Sequence, residues 1–258
     1  MIPPVSRRQF LKIGGAAALS FAFHGVAHGG RAGVPVLLYH DISRDFRDDY
    51  TTPPPLFAAQ MEWLYGNGFH SVSPRELSSL SGADRVFVLT FDDGYASFLD
   101  YAFPLLEEYG FRATINVLGR FAGEVIELSG KRPALSWDEY RHLVRSGRVD
   151  LGCHTHDLHR FSERGAAGVP AARLEEDLRR FQETVASETG SPVDILAWPY
   201  GMYTEKGIAA ARKAGVRYFL ISDEGKFAPG GDITRIPRMN INHKIDLISF
   251  RQYIEEPS

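Results

Sequence analysis

The chain of 258 residues has a single cysteine, Cys153, so no disulfide can form within it. It also lacks an apolar run long enough to span a membrane comfortably, since the best candidate, Ile13 to Phe23, is short and rich in Ala and Gly. No internal repeat, heptad pattern or long low-complexity tract is present, which sets aside coiled coils and repeat arrays. An excess of basic charge is missing as well, with 29 Lys and Arg against 32 Asp and Glu. The formal net charge is −3, and residues 1–32 hold Arg7, Arg8, Lys12 and Arg31 with no acid, so residues 33–258 carry −7. A mildly acidic body argues against nucleic-acid backbones as partners. What the chain does have is apolar material, 44% hydrophobic and 12% aromatic, enough for a sizeable core.

Residues 1–32 read as an export signal. Ser6-Arg7-Arg8-Gln9-Phe10-Leu11-Lys12 is a twin-arginine pattern, a short apolar stretch follows, and Gly25-Val26-Ala27 offers a cleavage site. The expectation is export by the twin-arginine route to the periplasm or cell surface, with only transient membrane association through the signal. Residues 33–258 would then form the working domain. In such a compartment Cys153 reads as a small buried residue at a strand end rather than a reactive thiol.

Beyond the signal, strand-like and helix-like segments alternate. Strands are predicted over Val34–Tyr39, Arg85–Phe91, Ala113–Leu118, Val149–Cys153, Ile195–Trp198, Tyr218–Ile221 and Ile233–Met239. Helices are predicted over Leu56–Tyr65, Ser97–Tyr109, Trp137–Arg145 with Ser136 as N-cap, Pro170–Glu188, Lys206–Lys213 and Asp246–Ile254. This alternation predicts an α/β fold with a parallel sheet, and about seven strands suffice to curl it into a barrel. The polar motifs His40-Asp41, Asp92-Asp93, His154 to His159 and Pro199-Tyr200-Gly201 all follow strands, so they would gather on the rim at the strands' carboxyl ends.

Two of these motifs carry chemistry. Asp92 and Asp93 end an apolar strand side by side, where each like charge opposes ionisation of the other unless a cation intervenes. A metal held by one carboxylate would leave the other free as a base. His154, His156 and His159 supply imidazoles, and one Asp with two His leaves coordination positions open, as catalytic sites require. Imidazole with carboxylate suits zinc and also nickel, cobalt or iron. His156 is a further candidate ligand, although alternation along an extended loop turns it away from His154.

Thr90-Phe91-Asp92-Asp93-Gly94, His154-Thr155 to His159, Pro199-Tyr200-Gly201 and the opening Val36-Leu37-Leu38-Tyr39-His40 resemble motifs of the polysaccharide deacetylases, the carbohydrate esterases that share the NodB homology domain. The resemblance covers roughly residues 33–245. It implies a distorted (β/α)7 barrel and a metal-dependent hydrolase that removes N-acetyl groups from a GlcNAc-containing polysaccharide. Carried over, Asp93, His154 and His159 would bind a divalent metal, with zinc expected. Asp92 would be the general base, Tyr200 would bind the oxyanion through its backbone N–H, and His243 would be a candidate general acid. His40 and Asp41 would shape the site. Trp198, Tyr200, Tyr203 and Trp137 could stack on sugar rings or belong to the core.

The chain departs from the family pattern in two places. His154 and His159 stand five residues apart rather than four, a wording similar to the branch acting on poly-β-1,6-N-acetylglucosamine. Chitooligosaccharide or peptidoglycan deacetylation, or carbohydrate binding without catalysis, are the alternatives. The arginine that tethers the catalytic Asp in the family is replaced by Ala197, with Arg235 and Arg238 as candidate substitutes.

Overall fold

Alternate residues of a β-strand point to opposite faces, and that period of two organises this fold. The computed structural model describes residues 33–80, 85–159 and 164–256, so the signal segment, residues 1–32, lies outside the described residues. The strands in chain order are β1 (Val36–Tyr39), β2 (Asp41–Ile42), β3 (Thr51–Thr52), β4 (His70–Ser71), β5 (Val86–Asp93), β6 (Ala113–Val117), β7 (Val125–Ile126), β8 (Arg132–Pro133), β9 (Val149–Cys153), β10 (Ile195–Ala197), β11 (Tyr218–Leu220) and β12 (Met239–Asn240). The helices of at least seven residues are α1 (Pro54–Gly66), α2 (Phe103–Tyr109), α3 (Trp137–Arg145), α4 (Ala171–Thr189), α5 (Glu205–Lys213) and α6 (Leu247–Glu255).

The principal sheet runs β11-β10-β9-β6-β5-β1-β12, with β4 beside β5, and its pairings are parallel. The segment from Ile233 to Ile241 connects the two ends. Ile236 bridges Leu220 of β11, while Met239 and Asn240 pair with Leu37 and Leu38 of β1. The sheet therefore curls into the distorted barrel expected from the βα alternation. The last strand is shorter than predicted because Pro237 interrupts it, and proline cannot donate to a ladder.

Two apolar layers follow from the alternation. Leu37, Leu89, Ile115, Leu151, Leu196 and Phe219 face the helices and join the large cluster with Phe57, Leu106, Leu178 and Phe181. Val36, Val88, Ile195, Ala197, Leu220 and Ile236 form a second cluster on the opposite, inner face. Further along the same inner rows stand Thr90 and Asp92 on β5, Asn116 on β6 and His154 beyond β9, all buried. The barrel interior thus passes from apolar at one end to polar at the carboxyl end. Cys153 is buried with the helix-facing cluster, as the sequence suggested.

The helix ends show why these segments begin and stop where they do. In α4, Leu174, Leu178, Phe181 and Val185 are buried on one face, and Gly190 closes the helix at φ 85°. The N-terminus of α3 has a complete capping box: Ser136 Oγ accepts from Glu139 N, and Glu139 accepts from Ser136 N at 2.7 Å. Ser136→Ala should lower stability by about 1 kcal/mol, read as a lower urea midpoint with an unchanged slope.

Candidate active site

The site forms where the polar ends of the inner rows meet the loops behind them. Asp92 and Asp93 close β5. Asp93 has φ 69°, a left-handed value costly for a side chain with a Cβ, and it lines the same cavity as Asp92 instead of the opposite face that strand alternation would give it. Thr155 (φ 73°) and Tyr200 (φ 58°) are the only other non-glycine residues with positive φ among the described residues. All three belong to the motif loops, so local backbone strain is concentrated at the site.

Asp93, His154 and His159 are buried, and one potential ligand atom from each lies within 4.8 Å of the others. Asp93 Oδ1 stands 3.6 Å from His154 Nε2 and 3.7 Å from His159 Nε2. That buried oxygen has no hydrogen-bond partner. Ligand bonds of roughly 2.0–2.2 Å to one ion set donors about 3–4 Å apart, so the group fits a divalent cation on its own geometry. His154 Nδ1 lies 2.8 Å from the carbonyl oxygen of Ala197, which accepts its proton and leaves the Nε2 lone pair facing Asp93. Burial holds the His154 imidazole at a pKa of about 4, against the opposing pull of Asp92 and Asp93, so it is neutral and able to ligate. Burial, and then the Asp93 carboxylate, raise the pKa of the Tyr95 phenol well above its usual range, so it stays protonated.

Asp92 is held differently. Arg238 grips it in a two-pronged pair, Nη1 to Oδ1 and Nη2 to Oδ2, both at 2.8 Å, and Asn116 Nδ2 donates to Oδ1 at 2.7 Å. Burial alone would raise its pKa, but the Arg238 charge, His154 and the Arg238 hydrogen bonds hold it well below the usual carboxylate range. Gly152 makes this arrangement possible, since a Cβ there would stand 2.2 Å from Asn116 Oδ1. Of the two candidate arginines, Arg238 therefore stands beside Asp92. Arg235 instead pairs with Glu205 at the surface. Arg238 is fully buried and also donates to Thr90 Oγ1 and to the carbonyl of Ile221.

Asp92, Asp93, His154 and His159 line a cavity of about 310 Å³ together with His40, Tyr50, Tyr95, Leu128, Ser129, Tyr200, Ser222 and Asn240. Tyr200 packs its ring 4.5 Å from that of His159, and its hydroxyl donates to the His159 carbonyl. The loop carrying Tyr50 and the hairpin carrying Leu128 and Ser129 are joined by buried Arg132, which donates to Asp41 at 2.9 Å, to Asp48 at 2.5 Å and to Ser129. Asp41 thus shapes the wall through Arg132.

Several expectations change. His243 does not line the cavity; its Nδ1 lies 2.8 Å from the carbonyl oxygen of Asp48, so it secures the loop before β3. The reason is register: Asn240 faces the cavity, and the chain leaves the barrel after Ile241 bonds Leu38. His156 is outside the metal-binding group and packs beside Gly119 and Phe181, as the alternation suggested. Of the four aromatic residues considered for sugar stacking, only Tyr200 lines the cavity; Trp198 is buried in the core, which Trp137 and Tyr203 pack against. His40 and Tyr50 carry more of the site than the sequence indicated. His40 half-lines the cavity with an unpartnered Nδ1, and burial lowers its pKa against the pull of Asp93 and Asp92. Its position at the end of an inner-facing row, Val36-Leu38-His40, is the sequence signal that marks it.

The family profile described as polysaccharide deacetylase matches residues 80–219, more than half of the chain. The chain belongs to the polysaccharide deacetylase family. Membership supports a hydrolase acting on amides. The chain is 25% identical over 233 residues to the poly-β-1,6-N-acetyl-D-glucosamine N-deacetylase of Escherichia coli, covering 76% of this chain but only 34% of that protein. It is 23% identical over 201 residues to the enzyme of the same name from Staphylococcus aureus MSSA476, covering 75% and 69% of the two chains. Among solved structures, IcaB from Ammonifex degensii superposes with a TM-score of 0.79 at 24% identity, over 87% of this chain and 98% of that one, which shows a shared fold.

Proposed function

We propose that this polysaccharide deacetylase removes N-acetyl groups from poly-β-1,6-N-acetylglucosamine, releasing acetate, and that it does so with a divalent metal, zinc in the first instance. The observation that carries this reading is the Asp93–His154–His159 group beside a separately tethered Asp92, inside a single cavity. The names of the E. coli and S. aureus relatives support the choice of glycan. A cation held by the three residues would supply Lewis acidity, polarising the acetyl carbonyl and lowering the pKa of water.

The remaining steps belong to side chains and backbone. Asp92, ionised and aimed by Arg238 and Asn116, takes a proton from the attacking water. The backbone N–H of Tyr200, by resemblance to the family, would donate to the developing oxyanion, a contact worth roughly 3–4 kcal/mol in comparable sites. Asp92, now carrying the proton taken from water, returns it to the departing amine, and His40 is the imidazole that lines the cavity outside the metal-binding group, where His243 does not reach. Tyr50 and Tyr200, 38% and 39% exposed at the cavity, offer ring faces to the sugar. Twin-arginine export of residues 33–258 to the periplasm or cell surface belongs to the same reading, resting on the sequence of residues 1–32.

An acetate-release panel tests this. Acetylated β-1,6-linked glucosamine oligomers should release acetate at least about tenfold faster than β-1,4-linked ones. A chelator should stop release, and added Zn²⁺ or Co²⁺ should restore it. Equal rates on both linkages would reject the glycan assignment, and chelator-insensitive release would reject the metal.

A further inference from the structure

His154 and His159 are not held in the same way. His154 is aimed through its own ring by the carbonyl of Ala197, whereas His159 Nδ1 is buried without a hydrogen-bond partner. The aim of the His159 ring then comes from its packing against the Tyr200 ring and from the backbone that carries it. That backbone is clamped on two sides. On one side, Gly119 N and Arg120 N donate to the carbonyls of Thr155 and His156 at 3.2 and 3.0 Å. On the other side stands one carboxylate from α4: Asp177 Oδ1 accepts from His156 N at 2.7 Å, and Asp177 Oδ2 accepts from Asp157 N at 2.9 Å. Two consecutive peptide N–H groups between the histidines are thus satisfied by a single side chain.

We propose that Asp177 is a positioning residue for the metal site, fixing the 154–159 turn so that His159 converges with Asp93 and His154. The proposal rests on the reading that these three residues hold a metal. Three observations carry it. Asp177 touches neither the cavity nor a metal-ligating side chain, so its contacts with the turn are what it does. Its neighbours on that face of α4, Leu174 and Leu178, are buried apolar residues, an environment that disfavours a carboxylate kept there for packing alone. Finally, the turn it holds includes Thr155 at φ 73°, a conformation that surrounding bonds must maintain. Burial foremost, and then the nearby Asp157, push the Asp177 pKa up to about 6 in spite of the two amides, which shows how unfavourable the place is for a charge.

The test is metal affinity in the purified full chain. Apo protein is titrated with Zn²⁺ and with Co²⁺ against a chromophoric chelator, for the wild type, Asp177→Asn, and Glu176→Ala, which removes an exposed neighbour paired with Arg179. Asp177→Asn turns one acceptor into a donor facing a peptide N–H, and the metal Kd should rise about 10- to 100-fold, the usual effect of losing an outer partner. The visible spectrum of the Co²⁺ form should shift, and kcat at saturating metal should return to within about threefold of wild type. Glu176→Ala should leave Kd unchanged. If Asp177→Asn does not fold, Asp177→Glu, with the charge on a longer arm, must show a raised Kd instead. A folded variant that loses thermal stability but keeps Kd within about twofold overturns the proposal and makes Asp177 a structural residue only. In that case the metal reading stands, because the wild type binds. Absence of metal binding by the wild type overturns both.

Discussion

Asp92→Asn should lower kcat by roughly 10²–10⁴, the range attributed to a positioned general base, while the metal Kd stays within a few-fold of wild type. The separation of these two readouts follows from geometry. The proposed metal-binding group comprises Asp93, His154 and His159, and Asp92 meets it only at 4.0 Å, through His154 Nε2. The side-chain amide has no basic lone pair for the water proton. It also places an NH₂ group among the donors of Arg238 and Asn116, where both carboxylate oxygens now accept. That donor–donor conflict should reduce stability by about 1–3 kcal/mol. Folding is therefore monitored by thermal unfolding, and Co²⁺ absorption reports the intact metal site. Turnover within threefold of wild type would remove Asp92 from the chemistry. A parallel loss of metal would instead make it part of the metal-binding group.

The sequence made most of this site legible because its parts are local. Thr90 to Gly94 and His154 to His159 are contiguous strings at strand ends, and βα alternation brings strand ends to one rim. The barrel followed from the same alternation, and the capping residue Ser136 from its local chemistry. What stayed hidden depends on register or on distance along the chain. His243 and Asn240 lie close together in sequence, yet only Asn240 faces the cavity, and nothing in a run of polar residues says where a short strand ends. His40 sits in the same inner row as Val36 and Leu38, but a strand buried on both faces shows no polar alternation to mark which side is inside. Tyr50 reaches the cavity from a loop whose path is set by Arg132, which lies 91 residues from its partner Asp41. Asp177, on an otherwise ordinary amphipathic helix, looks from the sequence like one more solvated acid.

The partner of Asp92 was the hardest to read, and it gives the second large effect. Arg238→Met should destabilise the fold by about 3–5 kcal/mol, because it removes one member of a buried ion pair and leaves the other uncompensated. Asp92 is 2% exposed and Arg238 is fully buried, so water cannot replace the lost guanidinium without opening the barrel. The arginine also joins structures far apart in the chain: it comes from the closing segment beside β12, 146 residues after Asp92, and donates to Thr90 of β5 and to the carbonyl of Ile221 beyond β11. It therefore helps hold the two ends of the sheet together as well as aiming Asp92, the proposed base. Arg238→Lys separates these roles. A lysine keeps the charge but is a point donor without the planar fork, so it cannot hold both oxygens of Asp92. It should recover much of the stability at neutral pH, measured by urea unfolding, yet keep a clear deficit in kcat with little change in metal Kd. Equal stability of Arg238→Met and wild type would show that the pair does not support the barrel. Full activity of Arg238→Lys would show that two-point aiming of Asp92 is unnecessary. If both predicted deficits are found, the tether to the Asp92 carboxylate is supplied from the barrel's closing segment beside β12, while position 197 on β10 contributes its backbone carbonyl, which orients His154.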